Sequence, residues 1–509
     1  MTAGLTRCPF RVVALLVIGL LAAESAWLLA VPAFRGLDEF DHVYRAASVA
    51  RGEWLPSGDQ AVHGRGELVT VPRDLVAAAG PECRARPYTG HDNCAPAANA
   101  PGDGVRVASA AARYQPFYYW VVGTAARWAH GTAALYVMRI VSALLCAIFT
   151  GLAAWTTTRW ARTGWPLLAL VGSLTPVVVY SAIVVAPNAL EIVAATSIWV
   201  ALAGLAVPDT DPQVERRLLW AAVPGAVLVA NLRSLGIVFL GLTVLVMMCV
   251  LGAPRLRALI ARQWPTVVAT SAVVLVAVAA GGWWLVTASP NRLEEHGHRS
   301  GALSGSLIQL PVWVLQSIAA APGRRDPAPG VAYLLCGSAL AVLAVLALRR
   351  AERRMRRVLL GMAAVCLVGP LLFTLHTYSA EGVVWQGRYG IPFGVGMLIL
   401  AGLALDLRHG LRPPPHPVLA GALAAFALGQ LIAVLHVLEQ QRQVSPSVTL
   451  GLWTPPSPWL VGLLTVGGWA LVGTAALRRH ESPVDLTYAA ARQDTGRGSA
   501  AIEARLGGS

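Results

Sequence analysis

The chain has 509 residues, of which 56% are hydrophobic and only 13% charged, and its mean hydropathy is +0.59. That balance excludes a soluble globular enzyme and describes a polytopic, all-α membrane protein. The net charge of +14 comes from forty arginines with no lysine; it reflects membrane topology and contact with membrane lipids, not a nucleic-acid partner.

A spanning helix needs ~20 mainly apolar residues. About twelve such segments can be marked along the chain: 12–31, 132–155, 165–183, 188–206, 218–230, 235–251, 265–287, 331–348, 358–377, 389–405, 418–437 and 459–477. Segment 218–230 is short for a span. Arginines gather at Arg7 and Arg11, Arg159 and Arg162, Arg216 and Arg217, then Arg255, Arg257 and Arg262. The densest run is Arg349, Arg350, Arg353, Arg354, Arg356 and Arg357, followed by Arg408 and Arg412, then Arg478 and Arg479. Twelve alternating spans put all of these clusters on one side. The positive-inside rule makes that side cytoplasmic, with both termini there and the chain multi-pass in the cell membrane. Arg7 and Arg11 ahead of an apolar run also fit a cleaved signal peptide. Segment 12–31 is long for one, however, and its loss would upset the parity, so it reads as a retained anchor. Glu24 within it is costly in lipid and faces the bundle or snorkels outward.

This organisation gives a transmembrane domain over residues 1–480 with two large extracytoplasmic loops, 32–131 and 288–330. The polar tail 481–509 lacks apolar periodicity and reads as a disordered cytoplasmic extension. The first loop opens on Gly36-Leu37-Asp38-Glu39-Phe40-Asp41-His42-Val43-Tyr44-Arg45, an acidic and aromatic cluster where the chain leaves the bilayer. Cys83 and Cys94 lie on an oxidising face and suit a disulfide, with two free thiols as the alternative. At the end of the loop, Pro116 is expected to start an interfacial helix at headgroup level that runs towards Trp128. Glu191, just past Pro187-Asn188, suits a helix N-terminus. In the second loop His296 and His298 could bind a metal, although such residues are usually solvated, and 303–320 reads as re-entrant or interfacial. A second polar knot, Trp385-Gln386-Gly387-Arg388-Tyr389, stands at a later membrane boundary.

Together these residues resemble a known family. Leu37 to Ala46 followed by Gly52-Glu53-Trp54-Leu55-Pro56, then Tyr114-Gln115-Pro116-Phe117-Tyr118-Tyr119, resemble signatures of a bacterial polytopic family, the domain of unknown function 2142 family. Thr175-Pro176, Pro187 to Glu191 and Gln386 to Pro392 extend the likeness. That family in turn resembles type C glycosyltransferases, whose hallmark is an acidic residue just beyond the first span; Asp38 and Glu39 stand there. The resemblance implies a polyprenyl-phosphate sugar donor and an envelope glycan or lipid acceptor.

The chemistry can also be argued from the residues. Sugar transfer needs a base for the acceptor hydroxyl, and a positioned carboxylate, Asp38 or Glu39, is suited to that. His42 would assist. The donor phosphate calls for a guanidinium fork, from Arg388 first and Arg233 second. Tyr44, Tyr114 and Tyr389 would face the sugar, with Arg45, Gln115 and Gln386 as further polar contacts. No cofactor is required. A divalent cation on Asp38, Glu39 and Asp41 would suit hard oxygen ligands, but nothing demands one. A lipid or solute transporter and a non-catalytic envelope assembly protein are the rival functions. The absence of an internal repeat and the long first loop speak against transport.

Overall fold

The computed structural model describes residues 7–288, 301–319, 327–408, 416–448 and 453–480. The expected tail 481–509 and the segment carrying His296 and His298 lie outside the described residues.

Helix α1 (Arg7–Ala30) leads into the first loop. That loop folds as α2 (Glu39–Ala50), β1 (Glu67–Pro72), α3 (Arg73–Arg84), α4 (His91–Cys94), β2 (Ala98–Asn99), β3 (Gly104–Ser109) and α5 (Pro116–Ala125). The sheet is antiparallel in the order β1-β3-β2, with Val69 opposite Val107 and Val71 opposite Val105. All four valines are buried. Their alternation along each strand turns one face inward. Cys83 and Cys94 are bonded, with Cα atoms 5.3 Å apart, and tie α3 to α4. Helix α5 has 10 residues, far too few to cross a bilayer. It buries Tyr118, Tyr119 and Val122 and leaves Phe117, Trp120 and Val121 exposed.

The remainder is helical: α6 (Gly131–Trp160), α7 (Trp165–Ser173), α8 (Pro176–Ala182), α9 (Asn188–Gly204), α10 (Pro212–Leu232), α11 (Gly236–Ala288) and α12 (Ala302–Gln316). It continues as α13 (Gly330–Arg350), α14 (Arg353–Glu381), a 3₁₀ turn at Gly387–Gly390, α15 (Ile391–Asp406), α16 (His416–Val448) and α17 (Pro458–His480). Among the described residues, eight helices are long and apolar enough to cross a membrane, or nine if the bent pair α7 and α8 is one span. Each of the twelve apolar segments read from the sequence falls on a helix, on this bent pair, or on half of α11, which is broken at Gly252 and Gln263. Helix α9, 17 residues long, is buried on all sides except Leu202, as expected of a helix that is apolar all round. It packs against α6, α10 and α15, and α1 packs against α6 and α17.

Proline explains the α7–α8 break. Pro176 has no N–H to continue the helix, and the two pieces bend by 63°. The freed carbonyl of Leu174 accepts from the Gln430 side chain of α16 at 2.7 Å, which keeps buried backbone satisfied where no water can reach it. Glu24 of α1 is buried in the bundle, so it faces inward and does not snorkel.

Candidate functional site

Asp38 sits immediately before α2 with φ 56° and ψ 18°. This left-handed conformation is strained for a residue with a side chain, and Asp and Asn tolerate it best. The carboxylate does not cap α2. It accepts instead from the Tyr88 hydroxyl at 3.0 Å. Such strain is held in place by the surrounding structure, here by Glu39.

Glu39 is fully buried and accepts four hydrogen bonds. Arg139 of α6 donates to both carboxylate oxygens, at 2.8 and 2.6 Å, and the backbone N–H groups of Gly36 and Val185 donate at 3.1 and 3.2 Å. Arg139 also donates to the carbonyls of Val31 and Pro32, each at 2.8 Å. One ion pair thus joins the end of α1, the start of α2, α6 and the α8–α9 connection. Of the acidic pair expected to supply a base, Glu39 is the member held inside the fold by these four bonds. Arg139 was not among the sequence candidates, although an arginine in the interior of an apolar 30-residue helix, unlike Arg159 in its last turn, is the signal that marks it.

The third carboxylate turns elsewhere. Asp41 accepts from the Ala110 N–H at 2.7 Å, tying α2 to the chain after β3. Burial pushes its carboxyl up to about 7, against that hydrogen bond, which favours the charged form. The expected cation site on Asp38, Glu39 and Asp41 is therefore not assembled. Among the described residues no group of three His, Cys, Asp or Glu stands ready for a metal ion.

His42, one turn beyond Asp38, is 8% exposed. Its Nδ1 is 2.7 Å from the Tyr119 hydroxyl, its ring stacks on Tyr119, and Tyr114 meets it edge-on at 5.2 Å. Burial lowers its pKa to about 4; the Asp38 carboxylate opposes the shift, and Arg388 and Arg233 reinforce it. The imidazole is consequently neutral at pH 7. Burial likewise raises the Tyr114 hydroxyl, on which the charges of Arg233, Asp38 and Arg388 also act. Asp38, Arg233 and Arg388 thus lie near enough for their charges to act on the same two side chains, His42 and Tyr114.

The cationic wall is built on Tyr389. The Arg233 guanidinium lies 4.4 Å from the centre of that ring and the Arg388 guanidinium 5.6 Å. Arg233 also pairs with Glu191 of α9 at 3.5 Å. The Nε atoms of both arginines are buried without a hydrogen-bond partner among the described residues, and buried donors of this kind call for an acceptor. The 3₁₀ turn carrying Arg388 and Tyr389 is clamped to α12: the Gln316 side chain accepts from the Gly387 N–H at 3.0 Å. A Cβ on Gly387 would stand 1.9 Å from the Trp313 carbonyl oxygen, so no other residue fits there.

Other expected contacts are structural. Tyr44 is fully buried against Phe40. Arg45, also buried, donates to the carbonyls of Glu53, Trp54 and Tyr114 at 3.0, 2.7 and 3.2 Å. Both are held inside the fold by these contacts. Gln115 and Gln386 are mostly buried at the starts of α5 and the 3₁₀ turn, with no side-chain capping bond. Tyr88, Tyr119 and Glu191 are the additions. Tyr88 and Glu191 become readable as site residues once their partners Asp38 and Arg233 are known, whereas Tyr119 carries its signal in the Pro-aromatic run.

A family model described as predicted membrane protein (DUF2142) matches residues 21–397. No curated protein matches the chain significantly. Among solved structures, ArnT from Cupriavidus metallidurans bound to undecaprenyl phosphate is similar at 17% identity with a TM-score of 0.44, over 93% of this chain and 79% of that one. The apo structure of the same protein gives 18% identity and a TM-score of 0.39, over 87% and 78%.

Proposed function

The chain belongs to the DUF2142 family of predicted membrane proteins, and we propose that it transfers a sugar from a polyprenyl-phosphate donor to an envelope acceptor outside the cell membrane. The observation that carries this reading is the pair of guanidiniums on Tyr389, each with a buried, unpartnered Nε, in the same electrostatic site as the carboxylate of Asp38. Guanidiniums bind phosphate as planar forks and keep their charge beside lipid. They would hold the donor phosphate and stabilise it as it leaves. Asp38, on the loop that follows α1, would take the proton of the acceptor hydroxyl as that oxygen attacks the anomeric carbon. Neutral His42, fixed by Tyr119, would orient the acceptor through hydrogen bonds. The apolar tail of the donor needs only a groove between helices.

In this reading the loop faces outward and both termini are cytoplasmic. The test is transfer from a panel of labelled polyprenyl-phosphate sugars by the purified protein in lipid, with donor binding measured in parallel. Asp38→Asn keeps a residue that tolerates the left-handed backbone and removes the base; turnover falls by about 10²–10⁴-fold while donor binding persists. Arg388→Gln weakens donor binding. A protein that neither binds any donor nor loses function in these variants, but moves lipid across the bilayer, is a transporter and overturns the proposal.

A further inference from the structure

A second feature lies apart from this chemistry, at the arginine-rich start of α14. Between α11 and α14 the surface opens into a groove of about 750 Å³, with Arg353, Arg354 and Arg357 at one end and apolar walls that include Val246, Met362 and Val365. Arg354 is already engaged. It donates to the Cys249 carbonyl at 2.7 Å and reaches the Leu251 carbonyl at 3.5 Å. It thereby covers the break in α11 at Gly252, whose φ of 73° and lack of a Cβ leave room for the guanidinium. This contact fixes the start of α14 against α11. Arg353 and Arg357, four residues apart and so on one helix face, are exposed and pair with no other described residue.

The dimensions point to the occupant. Val365 lies twelve residues beyond Arg353, or ~18 Å along a helix, against ~15 Å for one leaflet of a ~30 Å hydrocarbon core. The cationic end therefore stands at headgroup level while the apolar wall reaches the centre of the bilayer. Midway along it, a Cβ on Gly361 would meet nothing within 4 Å, which leaves space for an acyl chain. A soluble anion would use the arginines alone, and a zwitterionic lipid the wall alone. We propose that this groove binds one anionic phospholipid from the leaflet on the arginine side, its phosphate on Arg353 and Arg357 and an acyl chain along Gly361. Basic pockets between spanning helices are suited to such headgroups.

The test is native mass spectrometry of the full-length protein equilibrated with equal amounts of phosphatidylglycerol and phosphatidylcholine. The unmodified protein retains phosphatidylglycerol selectively. Arg353→Gln with Arg357→Gln lowers that retention about 25-fold, from roughly fivefold for each arginine near an anionic surface. Gly361→Leu, which fills the groove and leaves every arginine in place, also lowers it. A charge-matched pair elsewhere, Arg216→Gln with Arg257→Gln, leaves it unchanged. Full retention in Gly361→Leu, or an equal loss in the charge-matched pair, overturns the site, because either result reduces the interaction to a diffuse positive field.

Discussion

His42 is buried among groups that pull its proton in opposite directions. Its folded pKa of about 4 lies below the ordinary 6.5. Between those values the unfolded chain binds more protons than the folded one, so stability rises with pH through this window and is lost as pH falls. Removing a neighbouring charge then has a signed outcome. Asp38→Asn deletes the charge that favours imidazolium and moves the His42 titration lower still. Arg388→Gln deletes one that disfavours it and moves the titration up. Selective isotope labelling of histidine and NMR titration in detergent reads both shifts. If neither variant moves His42, Asp38 and Arg388 do not act on one site. The same titration bears on mechanism, since an imidazole that protonates near pH 4 has lost the advantage as a base at pH 7 that its ordinary 6.5 would give it.

Glu39 and Arg139 hold elements together. Their ion pair is fully buried, with further backbone partners on both sides. Removing one member of such a pair strands a charge and costs about 3–5 kcal/mol, whereas replacing both with apolar residues is often neutral. Glu39→Gln or Arg139→Leu is therefore expected to lower the thermal unfolding midpoint of the solubilised protein sharply, and Glu39→Met combined with Arg139→Met to recover most of it. Additive losses in the double variant would show that the two residues act separately. The pair also marks where sequence reasoning stops. Apolar runs of ~20 residues are legible because the bilayer imposes their length, and Pro116 and Pro187 mark helix starts at 116 and 188. The strands Glu67–Pro72 and Gly104–Ser109 escape notice because six alternating residues in a polar loop signal weakly until they pair. Asp38 and Glu39 are equivalent as text, and the left-handed turn at Asp38 sends one to Tyr88 and the other to Arg139. Arg233 and Arg388 could be chosen as cationic, but their common seat on Tyr389 depends on tertiary packing.

At the scale of the whole molecule, two independent features bear on which face carries the site. In the proposed orientation the arginine clusters lie on one, cytoplasmic side of the apolar segments. In the same orientation the loop that carries the Cys83–Cys94 bond lies on the opposite side, and disulfides persist in oxidising compartments. An orientation that satisfies one satisfies the other. In a Cys249→Ser background, a membrane-impermeant thiol reagent applied to intact cells should label Ser57→Cys in the first loop. It should reach Glu352→Cys, beside the densest arginine run, only after the membrane is opened. Cys83 and Cys94 should stay unlabelled until reduced, and replacing both with serine should cost about 3 kcal/mol of stability in the loop. That loss should fall on the loop and leave the helices intact, since the bond joins α3 to α4. Labelling of Glu352→Cys in intact cells would place Asp38, Arg233 and Arg388 on the cytoplasmic face, and the acceptor would then have to be sought inside the cell.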